Sequence, residues 1–214
     1  MKLLSVNIGR PTEIRHDAHR SISGIDKRPQ SGPVRVGPLG LEGDHILSTG
    51  HHGGPDQAVY LYSTEDYDAF VEQLGHPLPA GCFGENLTVE GPALADMRIG
   101  SRLRVGSVLL EVTAPRIPCA TFAAHMQDQG FVKRFRQMRR PGLYTRVLEP
   151  GQVQEGDGIE LEPGAPDAPT VAEEFELFYT PRPTLEQLRR SLAAPIAVRA
   201  RQHREEQLRE LEQR

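Results

Sequence analysis

At 214 residues, with 37% hydrophobic and 25% charged side chains, the chain fits one substantial domain with a small appendage and can bury a real core. Its formal charge of −4 is mild, which argues against a nucleic-acid polymer or an anionic membrane as partner. No stretch has the length of a membrane span or the plan of a signal peptide, so a cytoplasmic location with reduced thiols is expected.

Twenty-one glycines and 18 prolines, with only 6% aromatic residues, point to short strands joined by tight turns. Residues 2–9 read as an opening strand stopped by Gly9, and 32–36 as the next strand after a polar stretch. The segment 57–63 is rich in β-branched and aromatic residues and also reads as a strand. Residues 63–75 predict a helix: hydroxyl capping candidates open it, acids fill its first turn, and Tyr67, Phe70, Val71 and Leu74 recur at helical spacing before Gly75 closes it. The clearest β signal is 102–112, where Leu103 and Val105 alternate with Arg102 and Arg104. Gly106-Ser107 supplies a hairpin turn, and Val108, Leu110 and Val112 resume the period of two.

A second helix is predicted over 128–142, with Phe131, Phe135 and Met138 on one face and Lys133, Arg136 and Arg140 on the other. Two short strands follow at 142–151 and 156–164. A Pro/Ala/Gly linker (162–170) then divides a β-rich domain (1–163) from a small helical module (170–214). Thr170 with Glu173, and Thr184 with Gln187, have capping-box spacing. Pro195 is placed to open a last, strongly charged helix running to about Glu212.

Three stretches carry candidate chemistry. Cys119 follows Pro118 in "TAPRIPCATF", a loop whose proline restricts the backbone on both sides. Arg116 nearby favours the thiolate, the form that attacks or ligates. Packing, a disulfide with Cys82, a nucleophile and a metal ligand all remain open for Cys119. A reducing compartment and a separation of 37 residues make the disulfide the poorest of these. In "STGHHGGPDQAV", His51 and His52 precede the turn Gly53-Gly54-Pro55, and Asp56 follows it. The turn's N–H groups suit an anion, yet the spacing is not that of a zinc site. Cys119, His52 and Asp56 have the residue types of a triad, and an ordinary solvated loop is equally compatible. "GLEGD" and "FGENL" each set acid or amide groups beside glycines, as ordinary turns also do.

Taken in order, "GIDKRPQSGPVRV", "GLEGD", "HHGGPDQAVYLYS", "FGENLTVEG", "IGSRLRVGSVLLEVTAPRIPC" and "PGLYTRVLEPGQVQEGDGIEL" closely resemble the MOSC domain family, the molybdenum-cofactor sulfurase C-terminal domain group. The YiiM-like branch, with a three-helix module after the MOSC domain, is the nearest in pattern. The resemblance implies a mainly β fold: a MOSC-type β-barrel with flanking helices, followed by a small C-terminal three-helix module. It also implies that the chain binds the molybdenum cofactor, a molybdenum–molybdopterin, with the cysteine matched by Cys119 as the protein ligand to the metal. His52, Gly53, Asp56, Glu85, Asn86 and Arg116 match family motif positions near the cofactor, and Lys27 matches a charge partner for its phosphate. Where family members often carry Lys-His-Gly-Gly, this chain has His51 in place of the lysine.

The activity implied is reduction of N-hydroxylated compounds, of the hydroxylaminopurine type, to amines, with Cys119 anchoring the metal and His52 or Asp56 supplying protons. Two cysteines cannot build a four-cysteine cluster, so a separate electron-donor reductase is expected, with the Lys133, Arg136 and Arg140 face as its contact. The rival readings are a non-catalytic carrier of molybdenum cofactor or sulfur, and a thiol hydrolase or transferase that uses Cys119 as nucleophile. A homodimer is compatible with all of them.

Overall fold

The computed structural model describes residues 1–16, 19–45 and 53–213. The chain opens with β1 (Lys2–Gly9), β2 (Thr12–His16), β3 (His19–Ser23), β4 (Lys27–Pro29), β5 (Val34–Gly37) and β6 (Gly40–Leu41). Next come β7 (Val59–Ser63), helix α1 (Thr64–Leu74), β8 (Leu87–Glu90), β9 (Arg102–Val105) and β10 (Val108–Pro115). Helices α2 (Ala120–His125) and α3 (Phe131–Met138) precede β11 (Leu143–Glu149), β12 (Gly151–Val153) and β13 (Ile159–Glu162). Helices α4 (Val171–Phe178), α5 (Leu185–Ala193) and α6 (Val198–Glu212) complete the chain.

Eight strands form the main sheet in the order β13-β9-β10-β11-β7-β8-β1-β4. Its pairs are antiparallel except β7 and β8, which run parallel on either side of the α1 crossover. The expected β-barrel is corrected here. β1 gives one edge to β8 and part of the other to β4, and the remainder meets a turn rather than β13. That contact consists of the Lys2–Gly158 bridge and the backbone hydrogen bonds Leu3 N–H to Asp157 O, Gly156 N–H to Leu3 O and Ile159 N–H to Met1 O, and the sheet stays open. Helix and strand each take 31% of the described residues, so the fold is mixed α/β rather than mainly β.

Alternation explains the centre of the sheet. Leu103, Val105, Val108, Leu110 and Val112 are fully buried in one cluster with Leu3, Val6, Leu61, Leu87 and Val89. Each such side chain contributes about 1.5–3 kcal/mol on burial. A second cluster gathers most of the chain's few aromatic residues: Tyr60, Tyr62, Tyr67, Phe70, Phe83, Phe122, Phe131 and Phe135 pack between the sheet and helices α1–α3. Edge-on contacts dominate, as between Phe122 and Phe131 at 5.0 Å and 80°.

The local signals act as expected in α1, where the Ser63 hydroxyl accepts the Asp66 N–H at 3.1 Å and left-handed Gly75 ends the helix. The helix predicted over 128–142 is shorter. Asp128 accepts the Gly130 N–H at 2.8 Å in the turn before it, and Arg139 stops it at φ 56°. Two of the three cations on its outer face are engaged within the fold: Arg136 lies 4.1 Å from the Tyr179 ring centroid, and Arg140 pairs with buried Asp66 at 2.7 Å.

Both capping boxes form, at Thr170 and Thr184. Pro195 falls before α6 instead of in its first turn, and its carbonyl accepts from Arg146. Val171, Ala194 and Ile196 of this helical region join the same core cluster as the strands. Among the described residues, no helix is long and apolar enough to cross a membrane.

Candidate functional site

A cavity of about 360 Å³ opens where β4, β7, β10 and β11 converge under the β2–β3 hairpin. That volume is in the range of small-molecule sites. Lys27, Tyr60, Arg116 and Tyr144 line it from the sheet, Ser21, Ile22 and Ser23 from the hairpin, and Gly84 and Asn86 from the turn before β8. Cys119 and Thr121 close it from the start of α2, with His45, Gly53 and Gln57 on the remaining side.

Cys119 sits where the sequence placed it, in the loop leaving β10. Its extended backbone (φ −129°, ψ 172°) makes it the residue before α2, and its carbonyl accepts from Phe122 and Ala123. The thiol is free and, among the described residues, has no hydrogen-bond partner, so it is presented to the cavity uncommitted. Cys82 is different: burial pushes its thiol up to about 12, and its sulfur bonds to the Tyr67 hydroxyl at 3.6 Å.

Arg116 is only 4% exposed. Its guanidinium lies 5.0 Å from the Tyr60 ring centroid and 4.4 Å from that of Phe122, which fixes its plane. Among the described residues no carboxylate forms an ion pair with it, and its Nε is buried without a hydrogen bond. Gly84, at φ 75°, keeps this space open: a Cβ there would come 2.9 Å from Ile25 Cγ1 and 3.4 Å from Arg116 Nη1. A buried cation stacked on two rings and open to a cavity has the chemistry to receive an anionic group.

Lys27 is buried too, but its charge is spent on Asp44. Asp44 also accepts the Gly9 N–H at 2.8 Å and the Asn86 side-chain amide at 2.9 Å. Burial lowers the Lys27 ammonium below its ordinary range, and Asp44 opposes that shift. Asn86 in turn accepts the Tyr60 N–H at 3.2 Å, which ties the pair to β7.

Two expected site residues are placed elsewhere. Glu85 is fully buried and does not line the cavity. Its Oε1 accepts from the Gly81 N–H (2.6 Å), the Tyr67 hydroxyl (2.7 Å) and the Thr88 hydroxyl (2.7 Å). Burial raises its carboxyl above the usual range, partly offset by these donors. Glu85 therefore braces the turn that carries Gly84 and Asn86. Asp56 is also outside the cavity lining: its carboxylate faces Arg146 and the Val198 N–H, so it is not aligned with Cys119 in a triad. His51 and His52 lie outside the described residues. Gly53, Asn86, Arg116, Lys27 and Cys119 are brought together at one cavity.

Sequence reasoning did not single out Tyr60, Tyr144, Gln57, His45 or Thr121. Tyr60 and Tyr144, on neighbouring strands, have ring centroids 4.8 Å apart and planes tilted by 32°, and in the sequence they look like ordinary strand aromatics. Asp44 was signalled only as the acid ending "GLEGD".

Comparison with known proteins identifies the family and the fold. The profile described as the MOSC domain matches residues 48–160. Protein YflK of Bacillus subtilis (strain 168) is 37% identical over 159 residues, which cover 74% of this chain and 72% of YflK. A protein named reductase from Gibberella moniliformis (strain M3125 / FGSC 7600) is 35% identical over 143 residues, 65% of this chain but only 25% of that protein. The crystal structure of YiiM from Geobacillus stearothermophilus superimposes with a TM-score of 0.80 at 27% identity, covering 97% of this chain and 98% of the other. With the profile spanning more than half of its length, the chain belongs to the MOSC domain family, close to YiiM and YflK in sequence and fold.

Proposed function

We propose that the cavity binds the molybdenum cofactor, with Cys119 as its thiolate ligand, and that the protein reduces N-hydroxylated compounds to amines. The observation that carries this reading is Arg116, a buried guanidinium without a carboxylate partner among the described residues, beside a free thiol. A phosphate-bearing, metal-bearing ligand meets both needs. Among the described residues no cluster of three His, Cys, Asp or Glu side chains is arranged to hold a bare metal ion. Cys119 thus suits a metal that arrives with ligands of its own.

The cofactor supplies a two-electron redox centre when bound. The chain's residues do the rest. Arg116 binds and orients the anionic part, its plane held by Tyr60 and Phe122. Lys27 and Asp44 offer a neutralised pair, so they position the wall through Asn86 and Gly9 instead of adding net charge. His45 Nδ1 bonds to the Gly9 carbonyl at 3.1 Å, leaving Nε2 to carry a proton toward the leaving oxygen. The overall change is R–NHOH + 2 e⁻ + 2 H⁺ → R–NH₂ + H₂O, with the electrons from a separate reductase. The reductase name of the Gibberella relative supports a redox reaction.

The test uses protein purified from a host that makes the cofactor, with a reduced viologen dye as electron source and an N-hydroxylated purine base as substrate. Amine formation followed by chromatography is expected from the wild type and is expected to vanish in Cys119→Ala. Stoichiometric molybdenum without amine formation would overturn the reductase reading in favour of a carrier.

A further inference from the structure

The turn that follows the cavity is fastened from outside by the C-terminal helices. Asp56 lies in the 3₁₀ turn Pro55–Gln57, between two cavity-lining residues, Gly53 and Gln57. All three of its oxygens are engaged away from the cavity. Oδ2 accepts the N–H of Val198, the first residue of α6, at 2.8 Å, and the main-chain carbonyl accepts the Thr113 hydroxyl at 2.5 Å. Oδ1 is 3.1 Å from Arg146 Nε but off its hydrogen-bond axis, so this contact is an ion pair only. A carboxylate at a helix N-terminus is a favourable placement for both partners.

Two further bonds join the same elements. The Ala197 N–H donates to the Thr113 carbonyl at 3.1 Å, and Arg199 donates to Gln57 Oε1 at 3.2 Å. Gln57, a cavity-lining residue, is thus held by α6 through its side-chain amide oxygen. Arg146 also reaches Glu111 at 3.4 Å and the Pro195 carbonyl at 3.1 Å, which anchors the approach to α6 on β11.

We propose that Asp56 is a positioning residue: it ties the start of α6 to the turn bearing Gly53 and Gln57, so that the C-terminal helices set the shape of the cavity. The inference rests on reading this cavity as the functional site, but its test needs no cofactor. Val198→Pro removes the N–H that Asp56 accepts and spares the helix. Proline is tolerated at the first helical position, and Ala197 before it already has the extended backbone (φ −57°, ψ 142°) that proline requires. Asp56→Ala removes the acceptor, whereas Asp56→Asn keeps an amide oxygen for the same bond.

In cofactor-free protein, two readouts follow the turn and the cavity: hydrogen exchange of the Gln57 and Ala58 amides, and the iodoacetamide alkylation rate of Cys119. Loss of one cap bond should raise both about fivefold in Val198→Pro and Asp56→Ala. Asp56→Asn should stay within about twofold of wild type, and amides in the β9–β10 hairpin should not change. Unchanged exchange and alkylation in Val198→Pro and Asp56→Ala, with α6 still helical by circular dichroism, would overturn the proposal. So would equal loss in Asp56→Asn, which would assign the effect to charge. Neither outcome bears on whether Cys119 binds molybdenum.

Discussion

Replacing Arg116 with methionine separates stability from function. The guanidinium is 4% exposed, and among the described residues no carboxylate forms an ion pair with it; Glu85 acts on it only at longer range. Burying an ion costs several kcal/mol after relaxation. Against this stand two ring contacts, at 5.0 Å and 4.4 Å, each worth at most about 2 kcal/mol. Methionine keeps much of the volume and can pack on the same rings. The cofactor-free Arg116→Met protein should therefore be more stable than wild type by about 1–2 kcal/mol, a rise in Tm of roughly 2–8 °C for a chain of this size. Thermal melting followed by circular dichroism measures it. The same variant should lose at least about tenfold in retained molybdenum, because the anion's partner is gone. A fall in Tm of more than about 5 °C would refute the reasoning, since the guanidinium would then be satisfied within the fold.

Other outcomes follow from the same geometry. At pH 8 about one Cys82 thiol in 10⁴ is ionised if its value is about 12, so brief iodoacetamide treatment should label Cys119 and leave Cys82 unmodified by mass spectrometry. Lys27→Met strands Asp44 and should cost about 3–5 kcal/mol in urea melts, with part of the loss recovered in the Lys27→Met/Asp44→Asn double variant. Because burial raises the Glu85 carboxyl in the folded state, its proton is held more tightly there than in the unfolded chain. Its stabilising contribution is complete below the unfolded value of about 4.3 and is lost as pH rises through the folded one. Wild-type stability should thus fall relative to Glu85→Gln between pH 4 and pH 7, and a rise over that interval would contradict the assignment.

What could be read in advance divides along physical lines. The hairpin around Gly106-Ser107, the Ser63 and Gly75 caps and both capping boxes are local, and each formed where its residues stand. The 12–23 hairpin was missed because "TEIRH" and "HRSIS" offer few apolar residues to set a period, and helix α2 because six residues are too short to show one. Whether the sheet closes depends on β1 meeting β4, β8 and the 156–158 turn, all distant in sequence. The site shows the same division. Cys119 and Arg116 are three residues apart in a proline-framed loop, and both face the cavity. Glu85 and Asp56 stand beside cavity residues in the chain, yet their carboxylates turn toward Tyr67 and Val198. Adjacency placed the backbone correctly; side-chain direction came largely from partners outside those strings, such as Tyr67 and Val198.

The central claim is that Cys119 ligates a pterin-bound molybdenum. Metal and pterin analysis of wild type and Cys119→Ala from the same cofactor-competent host tests it most directly, with Cys82→Ala as the control thiol. The account predicts molybdenum and pterin near one per chain in wild type and in Cys82→Ala, with molybdenum largely lost from Cys119→Ala while its Tm changes little. Equal molybdenum in Cys119→Ala and wild type would contradict it.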